Sequence, residues 1–152
     1  MKRIPEILKS KLNEELPGER AHSKMAPMAR PGVKEALSYP DTKISAVLIM
    51  LFQMDSEWFT TMILRSAYDG VHSNQVAFPG GRAEPEDKSI QHTALREANE
   101  EVGVSDENIE VIGSISPLYI PPSKSLVTPI IGSLEAKPEL TLDKNEVESA
   151  FF

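Results

Sequence analysis

The sequence predicts an α/β or α+β domain built on a mixed β-sheet, and three observations predict it. Amphipathic helical segments open the chain and recur at 89–102; apolar or alternating runs of strand length lie between and after them; and the resulting order is helix, strands, helix, strands. The 152 residues are one domain's worth of chain, enough for a proper core, with 40% apolar and 26% charged residues, as in ordinary soluble domains. No repeat or low-complexity tract interrupts this order.

Residues 4–16 place Ile4, Ile7, Leu8, Leu12 and Leu16 on one helical stripe. "PGERAHSKMAPMARPG" (17–32), with three prolines, reads as an extended linker or wrapping arm. We therefore divide the chain into an N-terminal helix and arm, 1–34, and a main domain, 35–152. "KISAVLIMLF" (43–52) and "EWFTTMILRSA" (57–67) predict two strands of a hairpin around "QMDS". The first is apolar almost throughout, as a central strand covered on both faces should be. "QVAF" (75–78) is a short strand, and Pro79-Gly80-Gly81 a sharp turn. The second helix has Ser89 as N-cap, Asp87 as favourable charge at its start, and Gly103 just past its end. "NIEVIGSISPLYI" (108–120) and "LVTPIIGSLEA" (126–136) read as further strands around the loop "PPSKS", and "LDKNEVESAFF" (142–152) begins one more.

A net charge of -7 argues against nucleic acid as a partner, which needs a basic footprint. With no Cys, disulfides, thiolate metal sites and Cys nucleophiles are excluded, in keeping with a reducing compartment. The N-terminus carries charges throughout, unlike a signal peptide, and "AVLIMLF" (46–52) is far too short to span a bilayer. We expect a soluble, cytoplasmic protein with no membrane partner. His22, His72 and His92 lack metal-ligand spacing and read as surface or loop residues, and Trp58 as core or hairpin surface.

"LREANEEVG" (95–103) breaks local rules twice. On a helix Glu97, Glu100 and Glu101 fall within an arc of roughly 100°, where like charges repel, and they sit at the negative end of the helix dipole. One reading is a solvated face: Arg96 and Glu100 are an i,i+4 pair roughly opposite the stripe Ala94, Leu95, Ala98 and Val102. The other is a set of hard oxygen ligands for Mg²⁺ or Mn²⁺, able to neutralise a diphosphate and activate water. The Pro-Gly-Gly segment upstream, in a chain with neither GxGxxG nor GxxxxGK[ST], favours the second.

The stretch "GGRAEPEDKSIQHTALREANEEVGV" (80–104) resembles the Nudix box, Gx5Ex7REUxEExGU, where U is bulky and apolar. Arg96 to Val104 match its second half, with Ala98 smaller than usual at U. Counted from Gly81, the acidic position falls on Asp87, with eight rather than seven residues before Arg96; Glu86 is the alternative. Upstream, "MILRSAYDGVHSNQVAFPGG" resembles the additional motif of the coenzyme A pyrophosphatase branch through Leu64, Arg65, Ser66 and Phe78 to Gly81. Gly70 and Asn74 stand where that motif has Arg and Gly. The resemblance covers roughly residues 44–152.

What it implies is a Nudix-like α/β/α sandwich around a mixed sheet, acting on a small-molecule diphosphate. Glu97, Glu100 and Glu101, with the Gly81 carbonyl, would carry Mg²⁺ or Mn²⁺, Glu97 and Glu101 foremost. Arg96 would orient a box carboxylate. The catalytic base would come from a later loop, Glu146 first and Glu148 second, although either also reads as an exposed acid at a strand start. Arg65, Phe78 and Gly80 would meet substrate, with Arg30 from the arm; from its position after the box, "YIPPSKS" would close over the substrate, with Tyr119 or Lys124 as contacts. Coenzyme A would yield 4'-phosphopantetheine and 3',5'-ADP; ADP-ribose, dinucleotides or nucleotide triphosphates are alternatives, as is a non-catalytic nucleotide-binding module. The family's chain normally continues past this point into a C-terminal helix. We therefore expect a shortened chain with exposed apolar surface near Phe151 and Phe152, which a second copy in a homodimer would cover.

Overall fold

The apolar run around Leu48 forms the longest strand, and the rest of the domain is arranged about it. The computed structural model describes residues 4–26, 30–67 and 74–152. The chain runs α1 (Ile4–Leu12), α2 (Gly18–Met25), α3 (Val33–Ala36), β1 (Lys43–Met54), β2 (Glu57–Thr60), β3 (Met62–Arg65), β4 (Val76–Ala77), β5 (Gly80–Arg82), α4 (Ile90–Val102), β6 (Glu110–Ser114), β7 (Leu118–Ile120), β8 (Ser125–Ser133) and β9 (Val147–Phe151).

The main sheet has the order β2-β1-β8-β6, with β5 added beside β1 and β7 beside β8; the second sheet has the order β4-β3-β9. β1 and β8 run parallel from Lys43↔Ser125 to Leu51↔Ser133, and the other pairs are antiparallel, so the main sheet is mixed. Ala46, Leu48, Met50 and Phe52 project from one face of β1 onto Ala94, Ala98 and Val102 of α4. Ile63, Ile130 and Val147 complete this buried core. Burying each large side chain contributes roughly 1.5–3 kcal/mol, which is what fixes α4 against the sheet.

Several expectations need correction. β1 is not covered on both faces: Val47, Ile49 and Leu51 are only half-buried. The run 57–67 is two strands, because the chain breaks at the buried Thr61 and passes from β2 in one sheet to β3 in the other. The turn before it is two residues, Asp55 and Ser56, both at positive φ, whose twist matches the flanking strands. Pro79-Gly80-Gly81 leads into a strand rather than a tight turn, with Gly80↔Val47 and Gly81↔Ala46 in register. Residues 108–120 likewise split into β6 and β7, both on β8.

The stretch 17–32 is not simply extended, since 18–25 are helical, and Glu19 accepts a 2.7 Å hydrogen bond from the Val33 amide that ties α2 to α3. The first helix stops at Leu12, short of Leu16. It lies over β6 through Leu12 beside Gly113 and Lys9 with Glu110, while Ile4 and Ile7 stay exposed. Phe151 and Phe152 are partly exposed, and Phe152 meets Phe52 edge-on at 5.2 Å. Among the described residues no helix is long and apolar enough to cross a membrane.

Candidate active site

The helix α4 carries the acidic cluster, and its ends are fixed locally. The Ser89 hydroxyl accepts from the His92 amide at 3.1 Å, and Gly103 closes the helix in the left-handed region at φ 72°, its N–H bonded to the Asn99 carbonyl.

The three glutamates occupy three different environments. Glu101 points inward, with 1% of its side chain exposed. One of its oxygens accepts from the Gly80 amide at 2.8 Å and the other from Arg65 at 2.9 Å. Burial pushes its carboxyl up to about 7, although the Gly80 amide and Arg65 both favour the charged form. Glu97 is largely buried beside Gly81, so close that a Cβ on residue 81 would stand 2.5 Å from its carboxylate. Burial raises Glu97 too; Arg96 opposes this, while Glu100 and Glu146 reinforce it. Glu100 faces solvent and pairs with Arg96 at 2.9 Å.

Arg96 ties the cluster to the loop before it. Its guanidinium meets both oxygens of Asp87 at 3.0 and 3.1 Å, the Arg82 carbonyl at 3.0 Å and Glu97 at 3.1 Å. Asp87 also accepts from Thr93 and the Glu84 amide and contacts the His92 ring, each at 2.9 Å. This net of donors, Arg96 first, holds its carboxyl well below the usual carboxylate range. Of the two candidate acids in the loop, Asp87 is therefore the one joined to Arg96, and Glu86 is exposed. His92 is more than a surface residue, since its ring helps to fix Asp87. His72, like Gly70, lies outside the described residues.

Glu146 stands exposed just before β9, its carbonyl accepting from the Ser66 amide at 2.9 Å. Its charge is felt by both Glu97 and Glu101. Glu148 is exposed further along β9.

On the other face of β5 lies a cleft of about 330 Å³. Its lining includes Arg65, Phe78, Gly80 and Gly81, together with Lys43, Ser45, Arg82 and Ser125. Sequence reasoning missed Lys43, Ser45 and Arg82. Their signal is register: in an open strand pairing, Lys43, Ser45 and Arg82 share one face, with Ser45 opposite Arg82. Tyr119 and Arg30 are not in this cleft. They line a separate cavity of about 390 Å³ with His22 of α2, and Tyr119 packs with Ala36 and Leu126 in a satellite core. Lys124 pairs with Asp41 on the surface instead. A further cavity of about 890 Å³, between residues 103–110 and 133–139, shares no residue with the carboxylate cluster.

The donor chemistry fits a hard divalent cation: Glu97, Glu101 and the Gly81 carbonyl are all oxygen ligands, and the side-chain-free Gly81 leaves the space that the Glu97 carboxylate fills. As they stand, Glu101 faces Arg65 and Glu100 faces Arg96. Among the described residues no group of three such side chains converges on a single point.

The chain belongs to the NUDIX domain family, whose model matches residues 42–152. An uncharacterized Nudix hydrolase, NudL, of Photorhabdus laumondii is 50% identical over 86 residues, which is 57% of this chain and 44% of that protein. Its counterpart in Pectobacterium atrosepticum is 45% identical over 87 residues, 57% of this chain and 45% of that protein. The chain thus spans less than half the length of these relatives. Among solved structures, a C. elegans Ap4A hydrolase binary complex superposes with a TM-score of 0.62 at 15% identity, covering 72% of this chain and 78% of that one. The NUDIX domain of Shewanella oneidensis NrtR, complexed with ADP ribose, gives 0.57 at 14% identity, covering 86% and 80%. At such identities these two share the fold, a mixed sheet with helices packed against it.

Proposed function

We propose that this chain hydrolyses a nucleoside diphosphate linked to a second moiety, in a divalent-metal-dependent reaction, with coenzyme A the first substrate to test. The observation that carries this reading is the placement of the short strand β5. Its Gly81 abuts the carboxylates of α4, and its other face borders a cleft whose charged lining, among the described residues, is cationic: Lys43, Arg65 and Arg82. Metal ligands and anion-binding groups thus meet across one strand of backbone.

Glu97, Glu101 and the Gly81 carbonyl would hold the ion, which when bound neutralises the diphosphate and acidifies a water. Arg96, anchored by Asp87, fixes Glu97 and Glu100 and limits their rotation. Glu146 is exposed beside the cluster and takes the proton from the attacking water. Water oxygen bonds to one phosphorus, and the bond from that phosphorus to the bridging oxygen breaks. For coenzyme A the two products are 3',5'-ADP and 4'-phosphopantetheine. Arg65 lines the cleft and neutralises Glu101, so it stands between the two halves of the site. A binding module without catalysis would have no use for Glu101, whose burial is costly when charged.

The test is incubation with coenzyme A and Mg²⁺ or Mn²⁺, beside a Glu101→Gln control, with chromatography for 3',5'-ADP. Product that vanishes in the control supports the reading. Cleavage of ADP-ribose or a dinucleotide instead keeps the hydrolase and discards coenzyme A. No cleavage of any diphosphate refutes the hydrolase reading for this chain.

A further inference from the structure

We infer that the end of the cleft away from the carboxylates is a second anion subsite, formed by Lys43, Arg82 and the Ser45 hydroxyl with Ser125 at its rim, which selects nucleotides carrying an additional phosphate monoester. The proposal rests on the hydrolase reading only for what happens to the ligand afterwards.

The geometry is set by strand register. Gly80 lies opposite Val47, Arg82 opposite Ser45, and Lys43 opposite Ser125. From Val47 to Lys43 is four residues along β1, roughly 13 Å at the rise of an extended strand. One end of the cleft therefore holds Gly80 and Arg65 next to Glu101, and the other holds Lys43 and Arg82. Ser45 pairs directly with Arg82, and Lys43 is a diagonal neighbour on the same face. That separation, roughly 7–8 Å, lets two long side chains close on one anion.

Charge decides what the subsite takes. The chain has 23 acidic against 16 basic residues, yet among the described residues the cleft lining contains three cations and no acid. Arg65 is balanced by Glu101. Lys43 and Arg82 have no ion-pair partner among the described residues, and Asp41, the acid that feels Lys43, is already paired with Lys124. Two uncompensated positive charges match a phosphate monoester, which carries about -1.5 to -2 at neutral pH. Ser45 is nearly buried, its hydroxyl has no partner among the described residues, and it supplies a donor between the two cations. The apolar side chains of Val47, Phe78 and Val127 also line the cleft and suit the uncharged body of a nucleotide.

The measurement is calorimetric titration of the metal-free chain with adenosine 3',5'-bisphosphate and with adenosine 5'-monophosphate. The wild type should bind the bisphosphate about tenfold tighter or more, as one added charge-assisted contact gives. The double variant Lys43→Ala/Arg82→Ala should lose that preference, binding the two nucleotides within about twofold of each other, with each single variant in between. Both residues are exposed, so the variants keep the fold, and circular dichroism verifies it. Equal affinities in the wild type, a preference that survives the double variant, or no binding of either nucleotide overturns the inference. A preference that follows Lys43 and Arg82 in a chain that cleaves nothing would leave the subsite standing and refute only the hydrolase.

Discussion

The adjacent glycines 80 and 81 should fail in opposite ways when each is changed to alanine. A Cβ at residue 80 would stand 2.3 Å from the Ala46 carbonyl oxygen and 2.5 Å from the Val47 Cα, both backbone atoms of the central strand, at a backbone φ of +155°. Nothing there can yield without parting β5 from β1. Overpacking of this kind costs roughly 1–3 kcal/mol, and the unfavourable φ roughly 1–2 more. For a chain of this length each kcal/mol lowers Tm by about 2–4 °C, so Gly80→Ala should melt on the order of 5–15 °C below wild type. A Cβ at residue 81 would instead meet the Glu97 carboxylate at 2.5 Å, the far end of a side chain that can swing away. The fold should survive within about 1 kcal/mol, with Glu97 moved by the better part of an ångström. Misplacement on that scale can cost about 10²-fold in rate. Thermal melts and Mn²⁺ titration of both variants, with turnover of whichever diphosphate proves to be substrate, provide the assay. If Gly81→Ala melts like Gly80→Ala, or binds Mn²⁺ and turns over like wild type, the assignment of Gly81 as the seat of Glu97 is wrong.

Asp87→Asn should destabilise by roughly 2–4 kcal/mol, since its nearly buried carboxylate is the anchor of Arg96. Because the folded state holds Asp87 below the usual range, its contribution is complete above the unfolded value near pH 4 and is lost as pH falls further. Urea melts from pH 6 to 3 should show a steeper acid loss in wild type than in the variant. Glu101 has the opposite sign: raised to about 7, it stabilises least once pH exceeds that value, at a cost on the order of 3 kcal/mol relative to mildly acid pH. The Tm of Glu101→Gln relative to wild type should therefore rise between pH 5 and 8, and a flat difference would refute the burial argument. Glu146→Gln should lower turnover by about 10²-fold or more while leaving Mn²⁺ affinity nearly unchanged, because the residue is assigned to the proton and not to the ion. A parallel loss of Mn²⁺ binding would reassign it as a ligand.

The helix α4 was legible almost to the residue, because its cap, its apolar stripe and its terminal glycine are local signals that agree. Strand breaks were not. Nothing local in "EWFTTMILRSA" says that Thr61 will pass from one sheet to another, since both halves alternate as strands do and the choice belongs to tertiary pairing. α2 was hidden by prolines at 17, 27 and 31 that flank it without entering it. Of the site, the Glu97, Glu100 and Glu101 spacing was visible, and so were the departures from the box around residue 87. The partition of the three glutamates into one buried, one seated on glycine and one exposed was not, because it depends on where β5 and Arg65 pack. Only position in the chain points to Tyr119 and Lys124, and the sheet carries Tyr119 into a different core and leaves Lys124 to Asp41.

The charge layout on the two sides of β5 gives the site a direction. On the helix side, Asp87, Glu97, Glu100, Glu101 and Glu146 outnumber the two guanidinium groups among them, Arg65 and Arg96, and both Glu97 and Glu101 are raised as a consequence of crowding and burial. On the cleft side Lys43 and Arg82 are left over. A ligand of one uniform charge would suit only one of these surfaces. On the proposed reading a diphosphate with a divalent cation would suit both, the cation held by Glu97 and Glu101 and a further anionic group of the ligand by Arg82 and Lys43. On the strand between them a side chain at residue 80 would strike the β1 backbone and one at residue 81 the Glu97 carboxylate. The two glycines therefore do separate work, one letting β5 lie against β1 and the other leaving the space on the helix side of β5 that the Glu97 carboxylate fills.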